Sequence, residues 1–203
     1  YISVTGVQTC ALPIFDVTVT PSPNELRTPN YVTMNMYTKL TGIDTNGVPY
    51  PFVTVDAITV NKKDGQFYFA NVDIKQGKVI TQQFNCDANN YYRKFELPSA
   101  NVDTTTILVS VQESSSNTQT TEYYQSQDMT TIGADSFVYF VEENENETWT
   151  VYFGDGVIGY RPKDGNIVQI SYVDTHGGLA NDIVKFAFVD PRSEEHTSEL
   201  QSH

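Results

Sequence analysis

Four Asx-Gly pairs punctuate this 203-residue chain: Asn46-Gly47, Asp64-Gly65, Asp155-Gly156 and Asp164-Gly165. They constrain the fold because a type I′ hairpin turn needs positive φ at both central residues, which Asn, Asp and Gly adopt at least cost. The segments around them are rich in Thr, Val, Tyr and Phe, and no long stretch carries apolar residues at a 3.6-residue period. The expected fold is mainly β, with antiparallel sheets and hairpins in a sandwich-like arrangement and little helix. Strands are expected over 15–20, 31–38, 52–60, 66–72, 79–84, 93–97, 106–111, 137–142, 148–153, 167–173 and 183–189.

Alternation is cleanest in the last third. Trp149, Val151 and Phe153 fall on one face of their strand and Thr148, Thr150 and Tyr152 on the other; Phe137, Tyr139 and Val141 share a face upstream. The acidic run Glu142-Glu143-Asn144-Glu145-Asn146-Glu147 joins these two strands. Its carboxylates lack the spacing and glycine of a calcium loop, so it reads as a solvated hairpin. The sequon Asn146-Glu147-Thr148 reads as a polar turn within it. The polar stretch ESSSNTQTT, 113–121, reads as a loop or a strand-edge segment.

The two ends read differently from the middle. RSEEHTSELQS, 192–202, can be encoded by DNA whose reverse complement, extended by one base, encodes VTGVQTCALPI, 4–14. Unrelated protein segments have no reason to be complementary in this way. Residues 1–14 and 192–203 are therefore expected to be a translated sequencing adaptor, and are set aside from fold reasoning. The natural part, 15–191, is expected to be an internal fragment of two β-rich domains, 15–85 and 86–191, divided where NCDANN interrupts the strand pattern. Cys10, His196 and His203 belong to the ends, leaving Cys86 and His176 as the natural thiol and imidazole.

A formal net charge of −13 disfavours nucleic acid and anionic membrane, and Lys62-Lys63 and Arg93-Lys94 are too sparse to form a basic patch. No apolar run approaches the roughly 20 residues that span a bilayer. No nucleic-acid or membrane partner is expected. One natural cysteine cannot form an internal disulfide, so stability must come from packing.

Gly154-Asp155-Gly156-Val157-Ile158-Gly159 matches the G-x-G-x-x-G phosphate pattern. A dinucleotide fold then requires a helix of ten residues or so leading to a parallel strand. Only 160–166 separate the last glycine from the next strand, and they contain Pro162 and Asp164-Gly165, which leaves no room for that crossover. A kinase-type glycine loop needs a valine two residues after its last glycine and a lysine on the next strand; Arg161 and IVQISYV supply neither. No Gly-Lys-Ser/Thr follows for a Walker loop. Asp155 and Asp164 as a glycosidase pair are less apt than as turn formers before glycine. His176 and Cys86 are too far apart in sequence to suggest a metal site, and His176 falls in a THGG turn. No catalytic residues, cofactor or metal are expected, and the segment reads as a hairpin turn between two antiparallel strands.

The segment FVYFVEENENETWTVYFGDGVIGYRPKDGNIVQISYVDTHGGLAND, 137–182, with RKFELPSANVDTTTILVSVQESSS before it and YTKLTGIDTNGVPYPFVTVDAITV further upstream, resembles the baseplate wedge subunit of contractile-tailed bacteriophages, within the baseplate J-like group. The resemblance covers nearly all of 15–188, and the FGDG to DGNIV block carries most of it. It implies a structural, non-enzymatic protein of the virion tail baseplate, assembled in the bacterial host cytoplasm. Such a protein links wedge subunits around the tail hub and takes part in the rearrangement on sheath contraction. Its implied partners are other baseplate wedge proteins and its own copies. Phe153, Gly154, Asp155, Gly156, Gly159, Asp164, Gly165 and Asn166 match the shared block and are assigned a structural turn role, with no catalytic residue to carry over. The competing expectation is a carbohydrate- or receptor-binding β module of a phage tail, motivated by Trp149 and the tyrosine content; against it, strand alternation places Trp149 in the core.

Overall fold

A computed structural model describes residues 2–5, 14–21, 29–126, 130–175 and 183–189. Among them every regular element is a strand. The strands divide into two compact units, Tyr1–Lys78 with His176–His203, and Val79–Thr175. The expected boundary between 85 and 86 falls just past the first strand of the second unit. Of the THGG stretch, His176 and the two glycines after it lie outside the described residues.

The first unit holds β1 (Ile2–Thr5), β2 (Ile14–Val19), β3 (Tyr31–Met34), β4 (Lys39–Asp44), β5 (Pro49–Thr54), β6 (Ile58–Asn61), β7 (Phe67–Gln76) and, from the far end of the chain, β15 (Ile183–Phe188). Six form an antiparallel sheet in the order β1-β2-β7-β5-β4-β15, and β3 and β6 make a separate ribbon. Phe15 of β2 stacks on Phe186 of β15 at 5.4 Å, so the sheet curls toward a half-barrel around Val17, Leu40, Phe52, Phe67 and Ile74. On β7, Phe67 and Phe69 point inward, and so do Val72 and Ile74, an alternation that skips one residue. A bulge explains it: Asn71 has φ 53°, and the Asp16 carboxylate accepts its amide at 2.9 Å and the Tyr68 hydroxyl at 2.5 Å. The Tyr68 bond and then the Asn71 bond hold the Asp16 carboxyl below its usual range, and the bond to Asp16 pushes the Tyr68 phenol up. β1 belongs to the segment expected to be adaptor-derived; alternating Ile, Ser, Val and Thr has the propensity to add to an open strand edge whatever its origin.

Sequence expectation and structure part at the turns. Only Asp64-Gly65 is a two-residue hairpin with both φ values positive, 49° and 83°, closed by reciprocal bonds between Lys63 and Gln66. Asn46-Gly47 joins β4 to β5 with Gly47 alone at positive φ. The strand expected over 31–38 stops at Met34, because Tyr37 turns at φ 64° and Thr38 donates back to Asn35. The strand expected over 52–60 is two, β5 and β6, since the backbone of Thr54 and Val55 turns to other carbonyls, those of Thr38 and Asp73. β4 was hidden by Gly42, where a Cβ would sit 2.6 Å from the Phe52 ring; the missing side chain makes space for that ring and Phe186.

The second unit holds β8 (Lys78–Asn85), β9 (Lys94–Leu97), β10 (Val102–Gln112), β11 (Thr120–Gln125), β12 (Val138–Glu143), β13 (Trp149–Phe153) and β14 (Ile167–Asp174), in the order β8-β14-β10-β11-β12-β13-β9. The polar stretch 113–121 divides into a loop closed by Glu113 N–H to the Gln119 carbonyl and the start of β11. The acidic run expected to be a hairpin loop begins on β12, where Glu142 and Glu143 pair with Thr150 and Trp149, and only 144–147 form the loop to β13, with Asn144 N–H donating to the Thr148 carbonyl at 2.8 Å. All described pairings are antiparallel except β11 with β12, which is parallel over two residue pairs. Phe84 and Phe95, on the two edge strands, have ring centroids 5.0 Å apart, so the sheet curls into a near-barrel whose seam is closed by side chains.

Aromatic contacts continue inward from that seam: Phe95 to Phe153 at 6.1 Å, Phe153 to Tyr123 at 5.2 Å, Tyr123 to Phe137 at 5.3 Å and Phe137 to Tyr160 at 5.0 Å. Burying Phe95, Tyr123 and Phe153 contributes on the order of 2 kcal/mol each, with a further fraction from edge-to-face geometry, while Phe137 at the outer end stays exposed. Burial also pushes up the Tyr139 phenol, to about 12, and its hydroxyl donates to the Ile107 carbonyl at 2.7 Å. The column ends at one mouth of the near-barrel, beneath the segment that carries the glycine motif.

Candidate functional site

Gly154-Asp155-Gly156 and Asp164-Gly165-Asn166 lie between β13 and β14, and those two strands are not neighbours. Three strands, β12, β11 and β10, separate them in the sheet. The expected hairpin is therefore corrected: residues 154–166 form a strap that crosses the barrel mouth. Neither Asp155 nor Asp164 has positive φ; Gly156, Gly159 and Gly165 do, at 92°, 82° and 88°.

The first half of the strap is collapsed on itself. A Cβ on Gly154 would lie 2.1 Å from the Ile158 carbonyl oxygen and 2.3 Å from that of Gly159, so glycine is required by close approach rather than by φ. Five successive amides are taken. Gly156 donates to the Gly159 carbonyl at 3.1 Å, Val157 and Ile158 to one Asp155 carboxylate oxygen at 2.8 and 3.0 Å, and Gly159 and Tyr160 to the Gly133 and Ser136 carbonyls at 3.1 and 2.7 Å. The last two tie the strap to the segment entering β12.

The second half is tied to the opposite side of the mouth. Arg93, just before β9, is 1% exposed and lies at φ 50°. Its guanidinium donates to the Pro162 carbonyl at 2.9 Å, to the Asp87 and Asn90 carbonyls at 2.6 and 2.5 Å, and to the Asp164 carboxylate. Two backbone bonds join the same parts, Gly165 N–H to the Cys86 carbonyl and Cys86 N–H to the Asn166 carbonyl, at 2.8 and 2.9 Å. The Asn166 side chain donates to the Glu113 carbonyl beyond β10 at 2.8 Å and accepts the Lys163 amide at 2.7 Å. Between strap and barrel wall lies a depression of about 220 Å³ floored by Tyr123, Phe137 and Tyr160.

Every residue of the turn signature except Phe153 thus lies in the strap, and Phe153 anchors its start in the aromatic column. Arg93 is the residue that sequence reasoning missed. It read as half of a weak basic patch, and nothing local in RKFEL shows that its guanidinium faces a turn 71 residues away.

This geometry is unsuited to a phosphate. Phosphate loops present free N–H groups to the anion; here the amides are used internally, and the space above Gly154 holds carbonyl oxygens. Asp155 caps amides and Asp164 meets Arg93, so each carboxylate has a structural partner. Cys86 is buried at the strap junction, and burial pushes its thiol up. Among the described residues no three His, Cys, Asp or Glu side chains group so as to hold a metal. Trp149 packs against the core of the second unit.

No family model matches the chain. Among curated proteins it is similar to the baseplate wedge protein gp6 of Enterobacteria phage T4, with 25% identity over 179 residues, 79% of this chain. The chain spans about a quarter, 26%, of the length of that relative. A match of this length runs through both units.

The strap makes one pH-dependent prediction. The amides of Ile158 and Val157 hold the Asp155 carboxyl below its ordinary value. A depressed folded-state pKa stabilises the fold at pH above the ordinary carboxylate range, and that contribution fades as pH falls through the folded value. Carboxyl-carbon NMR should give Asp155 a midpoint below that of a model peptide. The Val157 and Ile158 amide shifts should titrate with the same midpoint, and Asp155→Asn should abolish their transition. A midpoint at the model-peptide value would mean that the cap is not formed in solution.

Proposed function

We propose that this chain forms a β-rich portion of a phage tail baseplate wedge subunit. In this reading it is a structural component, not an enzyme, that links wedge subunits around the tail hub and takes part in the rearrangement on sheath contraction. The observation that carries the proposal is the similarity to the T4 baseplate wedge protein, which extends through both units rather than one motif. The strap supports it: its glycines, aspartates and Asn166 are spent on internal bonds that hold a rigid surface, which suits assembly more than turnover. A carbohydrate-binding reading loses its tryptophan, because Trp149 packs against the core.

The partners are other baseplate wedge proteins and further copies of the subunit, in the tail baseplate of a virion assembled in the host cytoplasm. The test is co-expression of the full-length natural subunit with the wedge proteins encoded beside it, followed by native mass spectrometry. A defined complex of these proteins is expected. A subunit that stays monomeric in the presence of its neighbours would refute the proposal.

A further inference from the structure

The second unit carries a cation that no described carboxylate answers. Arg161 lies in the strap with its guanidinium carbon 4.0 Å from the centre of the Tyr91 ring, and its Nε is buried with no hydrogen-bond acceptor. Among the described residues it has no ion pair, in a chain of net charge −13. The acids on the two segments that frame it are already engaged. Asp87 accepts the amides of Asn89 and Asn90, Asp155 those of Val157 and Ile158, and Asp164 pairs with Arg93.

Beside Arg161 the chain displays two aromatic rings. Tyr91 and Tyr92 are 61% and 76% exposed and pack edge to face at 5.4 Å. Arginine and tyrosine dominate the energetic centres of protein interfaces, because both combine apolar faces with fixed hydrogen-bonding groups. The group is also built in advance: Arg93 welds the 87–93 loop to the strap, so Tyr91 and Arg161 meet without a partner's help. Preorganisation of this kind lowers the ordering cost of docking.

We infer that Arg161, Tyr91 and Tyr92 form a docking shelf for a carboxylate-bearing segment of a neighbouring protein. The guanidinium fork takes the carboxylate and the two rings pack on the apolar side chains beside it. The inference rests on the assembly reading above and gives it a surface and a chemistry. A second copy of this chain is the poorer occupant, since two chains of net charge −13 repel each other. Arginine rather than lysine is needed, because only the planar fork both stacks on Tyr91 and bonds a carboxylate through two N–H groups.

The probe is an acetylated, amidated Leu-Glu-Leu-Glu-Leu-Glu peptide, with the same peptide carrying Gln for Glu as control, titrated into the nitrogen-15-labelled chain. The Nε–Hε resonance of Arg161 should move with the Glu peptide. That of Arg93, which already donates to Pro162, should stay in place. Arg161→Gln should weaken binding by about tenfold or more, as expected for loss of a hydrogen-bonded charge. Tyr91→Ala should weaken it while leaving the melting curve nearly unchanged. Equal binding of both peptides, or unchanged binding to Arg161→Gln, overturns the shelf, as does the absence of any shift at millimolar peptide. Sedimentation velocity provides a second arm: self-association abolished by Arg161→Gln would assign the carboxylate to another copy and overturn the choice of a different protein. The peptide titration needs no wedge partner, so a failed co-purification with an intact titration refutes the baseplate reading alone.

Discussion

Gly154→Ala should lower the urea-unfolding free energy by about 4 kcal/mol, at the extreme of what a single added methyl group does to a fold. The new Cβ would stand 2.1 Å from the Ile158 oxygen and 2.3 Å from the Gly159 oxygen, both backbone atoms that cannot rotate away. Relief requires opening the loop, which breaks the Gly156 to Gly159 bond and pulls the Gly159 and Tyr160 amides from Gly133 and Ser136. Gly156→Ala is the control. It sits at φ 92° with nothing within 4 Å of the added atom, so it should cost only about 1 kcal/mol of backbone strain. Equal losses for the two variants would mean that positive φ, not close approach, is what the glycines provide, and the collapsed loop would be wrong.

That contrast shows how much a sequence of this kind discloses. A period of two reports which face of a strand is buried, so the existence of β13, with Val151 and Phe153 inward, could be read directly. The same period is silent on which strand lies alongside. FGDG and DGN between two strands looked like a hairpin because short links usually join sequence neighbours; here they cross three intervening strands. Asx-Gly pairs mark a change of direction without fixing its kind, and only Asp64-Gly65 has the geometry the dipeptide suggests. β4 escaped notice because Gly42 removes one beat from its alternation. At the site, the glycines and aspartates were visible as turn formers, whereas Arg93 was not, since a buried arginine is defined by acceptors that other parts of the chain bring to it.

Arg93 is accordingly where the second large effect should appear. Arg93→Met should cost about 3 kcal/mol, because it keeps most of the buried volume but takes the guanidinium from the Pro162, Asp87 and Asn90 carbonyls, of which Asp87 and Asn90 retain the backbone amides of Asn90 and residue 93 while Pro162 loses its donor. The ion pair itself is a minor part. Asp164 is 64% exposed where Arg93 is 1% exposed, so solvent screens the pair and Asp164→Asn should cost no more than about 1 kcal/mol. Arg93→Lys keeps the charge but has a single ammonium in place of the fork, cannot reach all the acceptors, and should recover less than half of the loss. Urea titration of the three variants separates the two explanations: if charge pairing held the strap, the Asp164→Asn loss would match that of Arg93→Met and lysine would restore it. In Arg93→Met the 87–93 loop is tied to the strap through the Cys86 backbone bonds at its start and no longer through the guanidinium, so the Arg161 resonance should lose its dispersion even where the chain remains folded. Stability and presentation then fail together, because the guanidinium that closes the barrel mouth is also the one that holds Tyr91 beneath Arg161.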